Sequence, residues 1–204
     1  MTTALPGADG VPRCPWGNST EDYAAYHDEE WGVPLHGETA LYERLSLEAF
    51  QSGLSWLTIL RKREGFRRAF ANFEPKKVAE FGPDDVERLM NDVTIIRNRA
   101  KIDATIRNAK AIADLDVPLD ELLWSFAPAP GTYPRPVLTS DVPAITPESK
   151  AMAKELKKRG FAFVGPTTAY ALMQATGMVN DHLVTCFCHE TCSGKVRKPR
   201  VKAK

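Results

Sequence analysis

The chain has 204 residues, 43% of them hydrophobic and 26% charged, with 27 Lys or Arg against 26 Asp or Glu. That is enough for one compact domain or two small lobes around a real core, and no apolar run reaches the roughly 18 residues that cross a bilayer. Four cysteines are too few for a disulfide scaffold, so a reducing compartment, the cytoplasm, is expected.

Residues 1–11 (MTTALPGADGV) lack the basic and apolar regions of a secretory leader and are expected to form a flexible N-terminus. One domain is expected over 12–193, followed by a basic, disordered tail at 194–204. The last ten residues hold six Lys or Arg, and without them the chain has 21 basic and 26 acidic groups. Overall charge therefore does not announce a nucleic-acid partner.

Apolar spacing is helical nearly throughout. Leu41, Leu45 and Ala49 step by four, and Ile102, Ile106, Ala109 and Ala113 step by four, three and four. The spacing predicts helices at 20–30, 38–51, 54–72, 75–80, 83–91, 97–114, 118–126, 147–159 and 166–176. Thr146-Pro147 and Pro166-Thr167 are start signals, and Gly177 is a stop. Between the last two helices and the rest lies 127–147, with six prolines, expected as an extended connection. The predicted fold class is all-α.

Cys14 near the start and His182, Cys186, Cys188, His189 and Cys192 near the end are ligand types that suit tetrahedral zinc. His182 and Cys186, four apart, share one face of a helical turn, and Cys14 and His27 are available to complete a set. Four protein ligands make such a site structural, joining the N- and C-terminal segments. A local site from Cys186, His189 and Cys192, or free thiols without metal, fits the spacing as well.

Residues 148–177 read as a helix, a short glycine-bounded turn and a second helix opening at Pro166. Lys158, Arg159, Gly160, Phe161, Gly165 and Thr167 are the expected DNA contacts, because free N–H groups at a helix start accept phosphate oxygens. An ordinary helical hairpin with a solvated basic end is the alternative. Further basic clusters lie at Arg61–Arg68 and Arg97–Arg107, each a solvated face or a DNA footprint.

Glu48 falls on the apolar stripe of its own helix, seven residues past Leu41. Trp16, Tyr26, Trp31 and Trp56 lie in the same quarter of the chain. A carboxylate among rings suits a flat, positively charged ligand, whereas a core Glu paired to an Arg would need no ligand.

Together these residues resemble a family. Arg13-Cys14-Pro15-Trp16, the block Tyr26-His27-Asp28-Glu29-Glu30-Trp31-Gly32-Val33-Pro34, Leu47-Glu48, Gly53-Leu54-Ser55-Trp56 and Leu60-Arg61-Lys62-Arg63-Glu64 come first. Trp124-Ser125-Phe126, Lys157-Lys158-Arg159-Gly160-Phe161 and Val179-Asn180-Asp181-His182 follow. Over about residues 12–187 the chain resembles the bacterial 3-methyladenine DNA glycosylase I family.

The resemblance implies the two-lobed helix-hairpin-helix glycosylase fold with structural zinc on Cys14, His27, His182 and Cys186. It implies a base pocket of Glu48, Tyr26, Trp56 and Trp16, with Glu48 the catalytic-site carboxylate, chiefly a recognition group. The implied activity is monofunctional hydrolysis of the N-glycosidic bond of 3-methyladenine, without redox cofactor or lyase lysine. The implied partner is double-stranded DNA carrying alkylated adenine, met by a monomer at the nucleoid. Asp181 is 16 residues past Gly165, roughly where relatives in the wider superfamily place a catalytic Asp; here a supporting role beside His182 is expected. A glycosylase for another cationic alkylpurine and a non-catalytic zinc-containing DNA-binding module are the rival readings.

Overall fold

A computed structural model describes residues 2–129 and 131–192; the basic tail expected at 194–204 lies outside them. Among the described residues ten α-helices carry the fold. They are α1 (Glu21–Glu29), α2 (Glu38–Gln51), α3 (Trp56–Ala69), α4 (Pro75–Ala79) and α5 (Pro83–Asn91), then α6 (Arg99–Ala113), α7 (Leu119–Trp124), α8 (Pro147–Lys158), α9 (Pro166–Ala175) and α10 (Cys188–Cys192). No described helix is long and apolar enough to cross a membrane.

Helix starts follow from side-chain caps. Thr20, Ser55, Asn98 and Thr146 each accept a backbone N–H from the first turn of α1, α3, α6 and α8. Ser55 therefore starts α3 at Trp56, two residues later than the spacing predicts. Its early end has a backbone cause: Ala71, Asn72 and Phe73 take φ of 50°, 54° and 55°, a left-handed turn no helix continues through.

Two elements escape the helical pattern. β1 (Leu5–Pro6) pairs antiparallel with β2 (Pro12–Arg13), and Ala4 N donates to Thr185 Oγ1 at 3.1 Å. Ala4, in the segment expected as a flexible N-terminus, thus contacts the far end of the chain. The short α10 was not anticipated because its five residues show no apolar period. The proline-rich connection carries one 3-10 turn, Thr139–Asp141.

The core centres on α2, buried along Leu41, Tyr42, Leu45 and Phe50, against Ile59 and Phe66 of α3 and Ile102 of α6. Lys101, read as part of a basic face, is buried; its Nζ donates to Phe50 O and Ser52 O at 2.8 and 2.6 Å, capping the end of α2. At the other side of α2 lies α9, which stops where expected. Gly177 has φ +73°, and a Cβ there would fall 2.6 Å from Pro34 N. That close approach, with Leu35 N–H on Thr176 O at 3.0 Å, lays residues 26–35 beside 178–189.

Candidate functional site

The seam joins the chain ends at a buried cluster of Cys14, His27, His182 and Cys186. Cys186 Sγ lies 3.5 Å from His27 Nε2 and 3.6 Å from His182 Nδ1, and Cys14 Sγ lies 3.9 Å from His182 Nδ1. A tetrahedral zinc with bonds of ~2.3 Å to sulfur and ~2.0 Å to nitrogen has S···N edges of about 3.6 Å. The donor set therefore has the size and chemistry for that ion.

The outer nitrogens of both rings are occupied. His27 Nδ1 is 2.9 Å from Asp28 Oδ1, and Asp28 in turn accepts from Arg13 Nε and Nη2, each at 2.8 Å. His182 Nε2 is 2.9 Å from Trp31 O. These bonds assign the protons outward and leave lone pairs facing the sulfurs. Contact with Cys186, aided by burial, pushes the Cys14 thiol far above its usual range, so a thiolate there needs a cation beside it.

The local alternative is not assembled. Among the described residues the other compact metal-compatible group is His27, Asp28 and Cys188, which shares a ring with the first. Cys192 Sγ faces Trp31 O at 4.0 Å, and His189 bonds His182 O and Arg135 Nε at 2.6 and 2.9 Å.

Next to the cluster is a cavity of about 340 Å³, and Cys14 is part of its wall. Trp16, Tyr23, Tyr26, Trp31, Trp56 and Glu48 line it together with Gln174 and Asp181. Tyr26 and Trp56 have centroids 5.3 Å apart, and Trp16 stands edge-on to Trp31 at 5.1 Å. Tyr26 and His27 are consecutive, and Trp16 follows Cys14 by two, so the cluster fixes the ring wall.

Glu48 is 4% exposed, and its carboxylate has no hydrogen-bond partner among the described residues. Burial pushes its pKa up to about 7, opposed by the charge of Arg44 one turn earlier. Trp56 Nε1 is likewise buried without a partner. The four pocket residues foreseen from sequence are thus brought together. Tyr23, one turn before Tyr26, was within reach of the same spacing. Gln174, Asp181 and Thr139 join the wall through space, with no local signal. Asp181 does not brace His182: its Oδ2 accepts from Tyr170 OH and, at 2.7 Å, from Gln174 Nε2.

The hairpin of α8 and α9 is held by α6. Arg107 Nε donates to Gly160 O at 2.7 Å, and Asn108 exchanges two bonds with the Ala162 backbone. Two expected contacts are otherwise engaged. Phe161 is 4% exposed core, with its N–H on Leu156 O, and Arg159 pairs with Asp116 and Glu155. Lys158, Gly165 and Thr167 do face solvent. Phe163, not anticipated, is 43% exposed with φ +56°, a strained position for an aromatic residue. In the Arg61–Arg68 cluster, Arg61, Arg63 and Arg67 are paired with Asp22, Glu30 and Glu43.

The family model for methyladenine glycosylase matches residues 16–189. DNA-3-methyladenine glycosylase 1 of Escherichia coli (strain K12) is 46% identical over 182 residues, covering 88% of this chain and 97% of its own. A crystal structure of 3-methyladenine DNA glycosylase I superposes with a TM-score of 0.84 at 45% identity, covering 87% of this chain and 99% of the other. A Tyr-to-Phe variant of such an enzyme in complex with 3-methyladenine superposes with a TM-score of 0.81 at 34% identity, covering 87% and 97%.

Proposed function

The chain belongs to the methyladenine glycosylase family, and we propose that it is a DNA repair enzyme that hydrolyses the N-glycosidic bond of 3-methyladenine in alkylated DNA. The products are the free base and an abasic site. The observation that carries the reading is Glu48, a buried carboxylate without a hydrogen bond, facing a slot of rings.

Methylation at N3 gives the adenine a positive charge and makes it a good leaving group. The enzyme must therefore extrude the nucleotide and hold the base more than activate it. Tyr26, Trp56 and Trp16 stack on the flat cation, which their π faces attract. Glu48 accepts N–H groups from the base edge, an interaction that water no longer screens once the base fills the slot. Neutral adenine lacks that charge and binds less well. Trp56 Nε1–H supplies a donor for a ring nitrogen.

Within this reading the fold is the two-lobed helix-hairpin-helix glycosylase fold. Cys14, His27, His182 and Cys186 hold a structural zinc ion, which ties the chain ends and orients the ring wall. Lys158 and the free amides that open α9 at Gly165 and Thr167 hold backbone phosphates without reading sequence. The protein acts on duplex DNA as a monomer in the cytoplasm.

Incubating metal-loaded protein with methylated duplex DNA, then identifying freed bases by chromatography and mass spectrometry, tests the function. Free 3-methyladenine is the expected product. Release of another alkylpurine in its place redirects the specificity, and no released base leaves a DNA-binding module.

A further inference from the structure

Arg44 stands behind the ring wall, on the same face of α2 as Glu48 and four residues before it. It is 7% exposed, which is unusual for an arginine. Its guanidinium carbon lies 5.3 Å from the ring centroids of both Tyr26 and Trp56. Nη1 donates to Tyr26 Oη at 2.8 Å, and Nη2 reaches Glu30 Oε2 at 3.4 Å. Glu30 is itself held by Arg63 through bonds of 2.5 and 2.9 Å. One planar cation thus touches both rings, and it stands one helical turn before Glu48 on α2.

We propose that Arg44 is a positioning and charge-setting residue of the base pocket, fixing Tyr26 and Trp56 as a pair and holding Glu48 as an anion for the cationic base. This rests on the reading of the cavity as the base pocket. A planar fork does both tasks at once: it packs flat on rings and keeps its charge at every working pH. By donating to Tyr26 Oη it also leaves the tyrosine hydroxyl hydrogen to point elsewhere. The other charged or titratable groups around Glu48 are Tyr23 and Tyr26 of α1, and Asp181 in the same cavity lining. Glu30, the Arg63 that holds it, and Glu43 are the other charged groups near Arg44. Of these, Arg44 is the cation that acts on Glu48, and its charge is what opposes the burial of that carboxylate.

The test separates charge from packing. The Glu48 carboxyl carbon is titrated by NMR in the parent protein, Arg44→Met and Arg44→Lys, each checked for metal content and thermal midpoint. Single-turnover base release from methylated duplex DNA is followed across the same pH range. In Arg44→Met the Glu48 titration moves up by about one pH unit, and the acid limb of base release moves with it. Release at pH 7 falls about fivefold through the lost anion alone, and further through the lost packing on the rings. In Arg44→Lys the titration stays near its parental position, while release still drops several-fold because the fork on the two rings is lost. Should Arg44→Met not fold, Arg44→Gln, uncharged but still a donor to Tyr26, reads the same titration. An unmoved Glu48 titration in the uncharged variant, or the same displacement in Arg44→Lys, overturns the proposal. The titration is read on the protein alone. Failure of the pocket reading shows separately, as parental base release by Glu48→Gln.

Discussion

The cysteine–histidine cluster and the ring-lined cavity beside it are both buried and polar, yet they are finished to different degrees. In the cluster each histidine has its outer nitrogen bonded, to Asp28 or to Trp31 O, and its inner nitrogen against a sulfur. In the cavity the Glu48 carboxylate and Trp56 Nε1 have no partner among the described residues. Burying a polar group without a partner costs stability, so a fold keeps one where something else supplies the partner. The saturated cluster joins the two ends of the chain; in the proposed function the unsaturated cavity takes the base.

That contrast is sharpest under loss of a ligand. Cys186→Ser, or chelation of the parent, is expected to release one zinc per chain and lower the thermal midpoint by roughly 10 °C or more, since a structural zinc site contributes many kcal/mol. Cys188→Ser, outside the four-ligand set, keeps the metal. Equal metal loss in both variants, measured by elemental analysis and calorimetry, would erase the distinction between ligand and neighbour.

The unsaturated site carries the opposite sign. Glu48 has its pKa raised from 4.5 to about 7, so its neutral form suits the fold. The stability this gives is fully present below pH 4.5 and is lost as pH rises through about 7. Glu48→Gln, always neutral, should match the parent at low pH and exceed it by about 3 kcal/mol above pH 7. Denaturant titrations at pH 4 and pH 8 check this. A variant less stable than the parent at pH 8 would mean that Glu48 is a structural ion pair after all.

The hairpin is expected to give the smallest effect. Lys158→Ala should weaken duplex binding a few-fold at any sequence and lower the salt slope by about one. Arg159→Ala should alter the slope less, because Arg159 is already paired with Asp116 and Glu155. Equal slopes for the two would argue against the difference in exposure between them.

Much of this was legible from residue spacing, for physical reasons that differ by region. Helix starts were readable because caps such as Thr146 and prolines such as Pro166 act on their own turn. That His182 and Cys186 meet was readable because residues four apart share a helical face, whereas spacing left Cys188, His189 and Cys192 open and the family resemblance singled out Cys14 and His27. Glu48 was conspicuous because it interrupts an apolar stripe. Other lining residues were hidden, since Gln174 on α9 and Asp181 beyond that helix join the pocket only through tertiary packing. The burial of Phe161 and the ion pairs of Arg159, both expected among the DNA contacts, were hidden for a related reason. A turn sequence does not reveal which of its side chains the neighbouring helices take up. Lys101 shows the same, looking basic and exposed in sequence but spending its charge on the carbonyls that end α2.

In the proposed function the unpartnered carboxylate recognises the base while the cluster only builds the pocket. Single-turnover release of 3-methyladenine by Glu48→Gln, with metal content and fold verified, tests it most directly. The account predicts at least a tenfold loss of release, with zinc stoichiometry unchanged. Parental release by a folded, metal-loaded variant would contradict it.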